Sequence, residues 1–163
     1  MKARGRQLGA DATGTCGMSQ DQISGEGGRY RLAVDGACCG NPGPGGWAVL
    51  VIRPDGAQEV VSGRVAERTT NNRMEVMAVV EGLRRIPEGA EVEVQTDSQL
   101  VIGWLAQGYA RNNVTLAPLL DAADALMRKR TVRFVKVRGH AGDPRNELVN
   151  ARAEAEATAA AHG

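Results

Sequence analysis

A chain of 163 residues with 42% apolar side chains has room for one domain with a proper core, and no repeat period points to a solenoid. No apolar run approaches the roughly 18 residues of a membrane helix, which argues against a membrane protein. A net charge of +1 does not announce a nucleic-acid binder by bulk electrostatics, although clustered carboxylates would hide local basic surface in that sum.

Residues 1–28 are rich in Gly, Ser, Thr and Gln and poor in large apolar side chains. Such a segment cannot offset its own ordering entropy, so a flexible tail is expected, with Lys2, Arg4 and Arg6 solvated. It has early cations but no apolar h-region, so no secretory signal is expected. The three cysteines, with Cys38 and Cys39 adjacent, show no metal-ligand spacing and suit reduced thiols of a cytoplasmic protein.

Order is expected from about Tyr30, in one domain over residues 29–161. Tyr30, Leu32 and Val34 alternate with Arg31, Ala33 and Asp35, which predicts a strand with Asp35 opposite the aliphatic face. The prolines and glycines of Cys39-Gly40-Asn41-Pro42-Gly43-Pro44-Gly45-Gly46 predict a loop, excluding both helix and central strand. Trp47 to Arg53 and Ala57 to Val65 predict two more strands of an antiparallel meander, joined at Pro54-Asp55-Gly56. A polar stretch from Glu67 then runs into a helix with the stripe Glu75, Ala78, Val79, Gly82, Leu83 and Ile86. That stripe sets Glu75 in the first turn of the inward face, where a carboxylate is expensive without compensation.

The alternating run Glu91 to Thr96 predicts a strand ending at Asp97, followed by a helix from Ser98 to about Ala106. Open α/β sheets place ligands at the carboxyl ends of strands, although a Thr-Asp-Ser turn alone would only cap a helix. A loop over 108–113, a helix from Leu116 to Lys129 and a strand from Thr131 to Val137 come next. After the loop at His140, Asp143-Pro144 makes an N-cap and N1 pair for a helix from Arg145 to about Ala160. Asn146 and Asn150 share one face of that helix. The expected architecture is α/β, a five-stranded mixed sheet in the order βββαβααβα.

Asp35, Glu75 and Asp97 thus come from two strand ends and a helix. Three acids facing one cleft repel one another unless divalent cations lie between them, and oxygen-only ligands favour Mg²⁺ or Mn²⁺ over Zn²⁺. Two such ions can drive phosphodiester hydrolysis.

Four motifs, in order and spanning residues 30 to about 155, carry a specific resemblance. They are Asp35-Gly36 with Gly40-Asn41-Pro42-Gly43-Pro44-Gly45-Gly46; Thr69-Thr70-Asn71-Asn72-Arg73-Met74-Glu75; Thr96-Asp97-Ser98-Gln99; and Gly139-His140-Ala141-Gly142. Together they resemble type 1 ribonuclease H, the bacterial ribonuclease HI family. The resemblance implies the ribonuclease H-like fold and hydrolysis of the RNA strand of RNA/DNA hybrids by a cytoplasmic monomer. It also implies two Mg²⁺ ions, replaceable by Mn²⁺, held by Asp35, Glu75, Asp97 and position 150, with His140 assisting proton transfer or product release. Arg68, Thr70 and Asn71 would form a pocket for a DNA-strand phosphate. Asn41, Asn72 and Gln99 would reach the minor groove and the RNA strand, where amides can read 2′-hydroxyls without reading base sequence.

Two features depart from the family pattern. Asn150 stands where the family has aspartate, either as a replacement that traps a substrate complex, which the intact remaining motifs favour, or as a natural variant. Its carbonyl can touch a metal but brings no negative charge, so slowed cleavage is expected; a hybrid-binding module without turnover is the alternative. The long Lys/Trp-rich handle of many bacterial relatives is also missing, since residues 106–116 offer only Arg111 as a cation and Tyr109 as an aromatic. A related-fold integrase or transposase core fits less well, because such proteins need not share the second and fourth motifs.

Overall fold

The computed structural model describes residues 28–138 and 142–163. The expected tail therefore falls outside the described residues apart from Gly28, and so does His140. Five strands, β1 (Tyr30–Cys38), β2 (Gly43–Ile52), β3 (Gln58–Thr69), β4 (Glu91–Thr96) and β5 (Thr131–Lys136), form one sheet in the order β3-β2-β1-β4-β5. Four helices flank it: α1 (Asn71–Leu83), α2 (Gln99–Ala106), α3 (Ala117–Arg128) and α4 (Pro144–His162). β1 pairs antiparallel with β2 and parallel with β4, and β4 pairs parallel with β5, so the mixed five-stranded sheet is as expected.

The alternation in β1 assigns its side chains to two layers. Leu32 and Val34 join Val49, Val51, Val76, Val79, Leu83 and Leu120 in the larger core beneath α1 and α3. Ala33 lies on the opposite face with Ala48, Leu50 and Ile52, covered by Val149 and Ala153 of α4. Burying each large aliphatic contributes about 1.5–3 kcal/mol, so the α1 side supplies most of the apolar stabilisation. The small residues on the α4 side instead let that helix lie close to the sheet. A Cβ on Gly46 would come within 2.6 Å of Ala157 N, an impossible approach.

That close packing makes strand of a stretch expected to be loop. Gly43-Pro44-Gly45-Gly46 is not a loop but the start of β2, a strand with partners on both sides. Gly45 faces Cys38 and Val65, and Gly46 faces Ala37 and Arg64. Pro44 is tolerated because the register shifts between Gly43 and Gly45, and its carbonyl accepts from Cys39 N at 2.8 Å. β3 likewise continues past Val65 to Thr69. The polar stretch after it is already helix: Thr70 caps α1 by accepting from Arg73 N, so Glu75 stands in the second turn, not the first. Among the described residues no helix is long and apolar enough to cross a membrane.

Candidate active site

Parallel pairing of β1 with β4 brings the two aspartates together. Ala33 stands opposite Gln95, and Asp35 and Asp97 each lie two residues further along, past the last β1–β4 pair. Asp97 follows the end of β4, whereas Asp35 is still inside β1, which runs on beside β2 to Cys38 and does not end at Asp35 as expected. Glu75 reaches the same edge because Gly36 has no side chain. A Cβ there would lie 2.5 Å from Glu75 N and 2.6 Å from Met74 Cβ, so the second turn of α1 rests on the β1 backbone. The outcome is three carboxylates, each offering an oxygen within 4.8 Å of the others.

Bare carboxylates this close destabilise their charged forms. Burial, then the Asp97 and Glu154 charges, push the Asp35 carboxyl up to about 6 against hydrogen bonds from Asn150 and Gly36. Burial, then the Asp35 and Asp97 charges, push Glu75 up to about 8, opposed by a Ser98 hydrogen bond. A hard divalent cation would relieve both desolvation and repulsion, and the all-oxygen donor set suits Mg²⁺ or Mn²⁺. The residues present therefore fit the metals that the resemblance implies.

Asn150 completes the group from α4. Its Nδ2 donates to Asp35 Oδ2 at 2.9 Å, while Asp35 Oδ1 accepts from Gly36 N at 2.9 Å. The cavity, about 490 Å³, is walled by Asp35, Glu75, Asp97, Asn71, Asn150 and Glu154. Glu154 has no signal in the sequence beyond its spacing four residues after Asn150.

The expected phosphate residues do not share one cavity. Arg68 and Thr70 line a cleft of about 400 Å³ with Arg73, Asn113 and Thr115, whereas Asn71 lines the acid cavity. Asn113 is not legible in the sequence, where it reads as an ordinary turn residue. It does act as one too: its Oδ1 accepts from Thr115 N and Leu116 N. The buried Thr69 hydroxyl borders this cleft without a hydrogen-bond partner among the described residues. Asn41 Oδ1 accepts from Asn71 N at 3.1 Å, tying the loop before β2 to the start of α1. Asn72 is half-buried in the first turn of α1.

Gln99 is exposed at the start of α2, and its Nε2 donates to Gln107 Oε1 at 3.1 Å and lies 3.4 Å from the Tyr109 hydroxyl. Arg111, the one cation of residues 106–116, is held internally. It pairs with Asp124 at 2.6 Å and donates to Trp104 O at 2.7 Å.

Comparison with known proteins agrees with these features. The RNase H family model matches residues 28–159. The chain is 44% identical over 129 residues to a ribonuclease H of Methylorubrum extorquens (strain PA1), covering 73% of this chain but only 56% of that relative. It is 40% identical over 134 residues to a ribonuclease H of Marinobacter nauticus, covering 76% of this chain and 90% of the relative. Among solved structures it resembles LC11-RNase H1 in complex with an RNA/DNA hybrid, at 26% identity and a TM-score of 0.65, covering 76% of this chain and 95% of that one.

Proposed function

The chain belongs to the ribonuclease H family, and we propose that it hydrolyses the RNA strand of RNA/DNA hybrids with the help of two divalent cations. The observation that carries this reading is the trio Asp35, Glu75 and Asp97, drawn from three elements to within 4.8 Å. Such a cluster opposes its own ionisation and gains by binding cations. Asp35, Glu75, Asp97 and the Asn150 carbonyl would hold the ions, Mg²⁺ or Mn²⁺. These would supply activation of the attacking water and stabilisation of the leaving 3′-oxygen.

The protein's own part is positioning. Arg68 and Thr70, with Asn113 beside them, suit a backbone phosphate of the DNA strand through charge-assisted hydrogen bonds. Asn41, Asn71, Asn72 and Gln99 offer amides for the minor groove. With its Nε2 turned to Gln107, Gln99 has its Oε1 left as an acceptor for a 2′-hydroxyl, which DNA lacks. His140, outside the described residues, takes the role of assisting proton transfer or product release. Cys38 and Cys39 are unpaired among the described residues, in keeping with a reducing, cytoplasmic setting; the protein is read as a monomer.

One observation favours the second reading, a hybrid-binding module without turnover. The Asn150 amide already satisfies Asp35 Oδ2, so placing its carbonyl on a metal means turning the amide and losing that bond. We hold that this slows cleavage without abolishing it. Incubating the chain and Asn150→Asp with an end-labelled hybrid in Mg²⁺ separates the readings. Slow RNA-strand fragments from the parent support the enzyme, whereas fragments from Asn150→Asp alone support the module.

A further inference from the structure

We infer that Glu154 supplies the negative charge that position 150 lacks, acting as a positioning residue for the metal site. The inference rests on the proposed function and extends it to a residue outside the four motifs. Residues four apart on a helix lie on one face with Cβ atoms about 5–6 Å apart. Glu154 therefore projects one turn beyond Asn150, and both line the acid cavity.

The remaining carboxylates of α4 make the choice specific. Glu156 accepts from Ser62 Oγ at 2.6 Å and Arg64 Nε at 2.8 Å, which ties it to β3. Glu147 lies one turn before the cavity wall begins and is exposed. Glu154 has no ion pair among the described residues, and its charge is close enough to add to the repulsion at Asp35. It is also exposed.

The chemistry needs no direct bond. Mg²⁺ dehydrates reluctantly and keeps several waters, so a carboxylate one turn away can hold such an ion by accepting hydrogen bonds from its hydration shell. An aspartate at position 150 would make this help redundant. An asparagine makes it necessary, because three carboxylates otherwise face two divalent ions.

The test is a double-variant cycle read by Mg²⁺ calorimetry at fixed salt, on the full chain with Glu154→Gln, Asn150→Asp and both together. Glu154→Gln should weaken Mg²⁺ binding about tenfold in the parent and less than about threefold when added to Asn150→Asp. Its melting temperature in chelator should stay level or rise, because an exposed charge is removed from a like-charged group. No loss of affinity in the parent would overturn the inference. So would an equal loss with and without Asn150→Asp, which would make Glu154 a generic surface charge. Asp97→Asn is the control for the reading beneath: if it too leaves Mg²⁺ affinity unchanged, the acid cluster is not the metal site. An unchanged Glu154→Gln beside a weakened Asp97→Asn overturns only the role of Glu154.

Discussion

Asn150 Nδ2 donates a 2.9 Å hydrogen bond to Asp35 Oδ2, so the position where the resemblance leads one to expect a carboxylate gives a donor to the very acid that a carboxylate would repel. This ties α4 to the end of β1 and quiets the cluster when no cation is bound. Asn150→Asp should reverse the balance in chelator. It removes a hydrogen bond to a charged group, about 1.5–3 kcal/mol, and adds a fourth negative charge. Thermal melts should show the variant several degrees below the parent in chelator and recovering more strongly with Mg²⁺, which binds only the folded site. A variant as stable as the parent without metal would mean the bond contributes nothing.

The metal-free protein should lose stability as pH rises. Asp35 goes from an ordinary 3.8 to about 6, and Glu75 from 4.5 to about 8. Between the ordinary and raised values the folded state holds more protons than the unfolded one, so stability falls with pH. The contribution is complete below about 4 and is lost through 6 and then 8. Denaturant melts in chelator should therefore give lower stability at about pH 8.5 than at about pH 5.5, and Glu75→Gln should flatten the upper part of that slope. A parent profile already flat over this window would show that burial at the cluster is weaker than the geometry implies.

Gly46→Ala should destabilise the fold by about 1–3 kcal/mol, the usual range for overpacking. The added methyl meets the α4 backbone near Ala157, which cannot yield as a flexible side chain would. Because the same helix carries Asn150, metal affinity should fall along with stability in this variant. Retained stability and retained Mg²⁺ binding would mean that α4 can shift without disturbing the site.

How far the sequence can be read follows from where each signal lies. β4 is legible to within one residue, because Glu91 to Thr96 alternates cleanly, although the strand stops at Thr96 and not at the expected Asp97, just before the helix cap Ser98. The start of β2 is not. Its glycines read locally as a turn, yet they are glycine because α4, far along the chain, lies against them. The apolar stripe sets Glu75 one turn early, since Asn71-Asn72-Arg73 reads as polar loop while Thr70 is already the cap. Asp35 and Asp97 can be proposed as partners from their strand ends, but only the β1–β4 register sets them side by side. Asn113 and Glu154 carry no local signal, because a turn asparagine and a glutamate in an Ala/Glu-rich helix look ordinary until the chain folds.

Arg68→Ala is the clean probe of the proposed phosphate cleft. Arg68 is exposed and makes no ion pair among the described residues, whereas Thr70 also caps α1 and its loss would cost about 1 kcal/mol of stability. Hybrid binding at fixed salt should weaken by about 1.5–3 kcal/mol in Arg68→Ala with an unchanged melting temperature. Fixing the salt matters because phosphate contacts respond steeply to it. Unaltered affinity would leave the cleft without a role in substrate binding.

Single-turnover cleavage of one labelled RNA/DNA hybrid, beside a DNA duplex of the same sequence, tests the whole reading most directly. The parent should release RNA-strand fragments in Mg²⁺ and leave the DNA duplex intact, while Asp97→Asn releases none. Asn150→Asp should cleave at least about tenfold faster, a difference of about 1.4 kcal/mol in the barrier. Mn²⁺ should narrow that gap by tolerating a less ideal ligand set. Equal rates for parent and Asn150→Asp in Mg²⁺ would contradict the role given to Asn150, and no cleavage by either would contradict the assignment of hybrid hydrolysis to this chain.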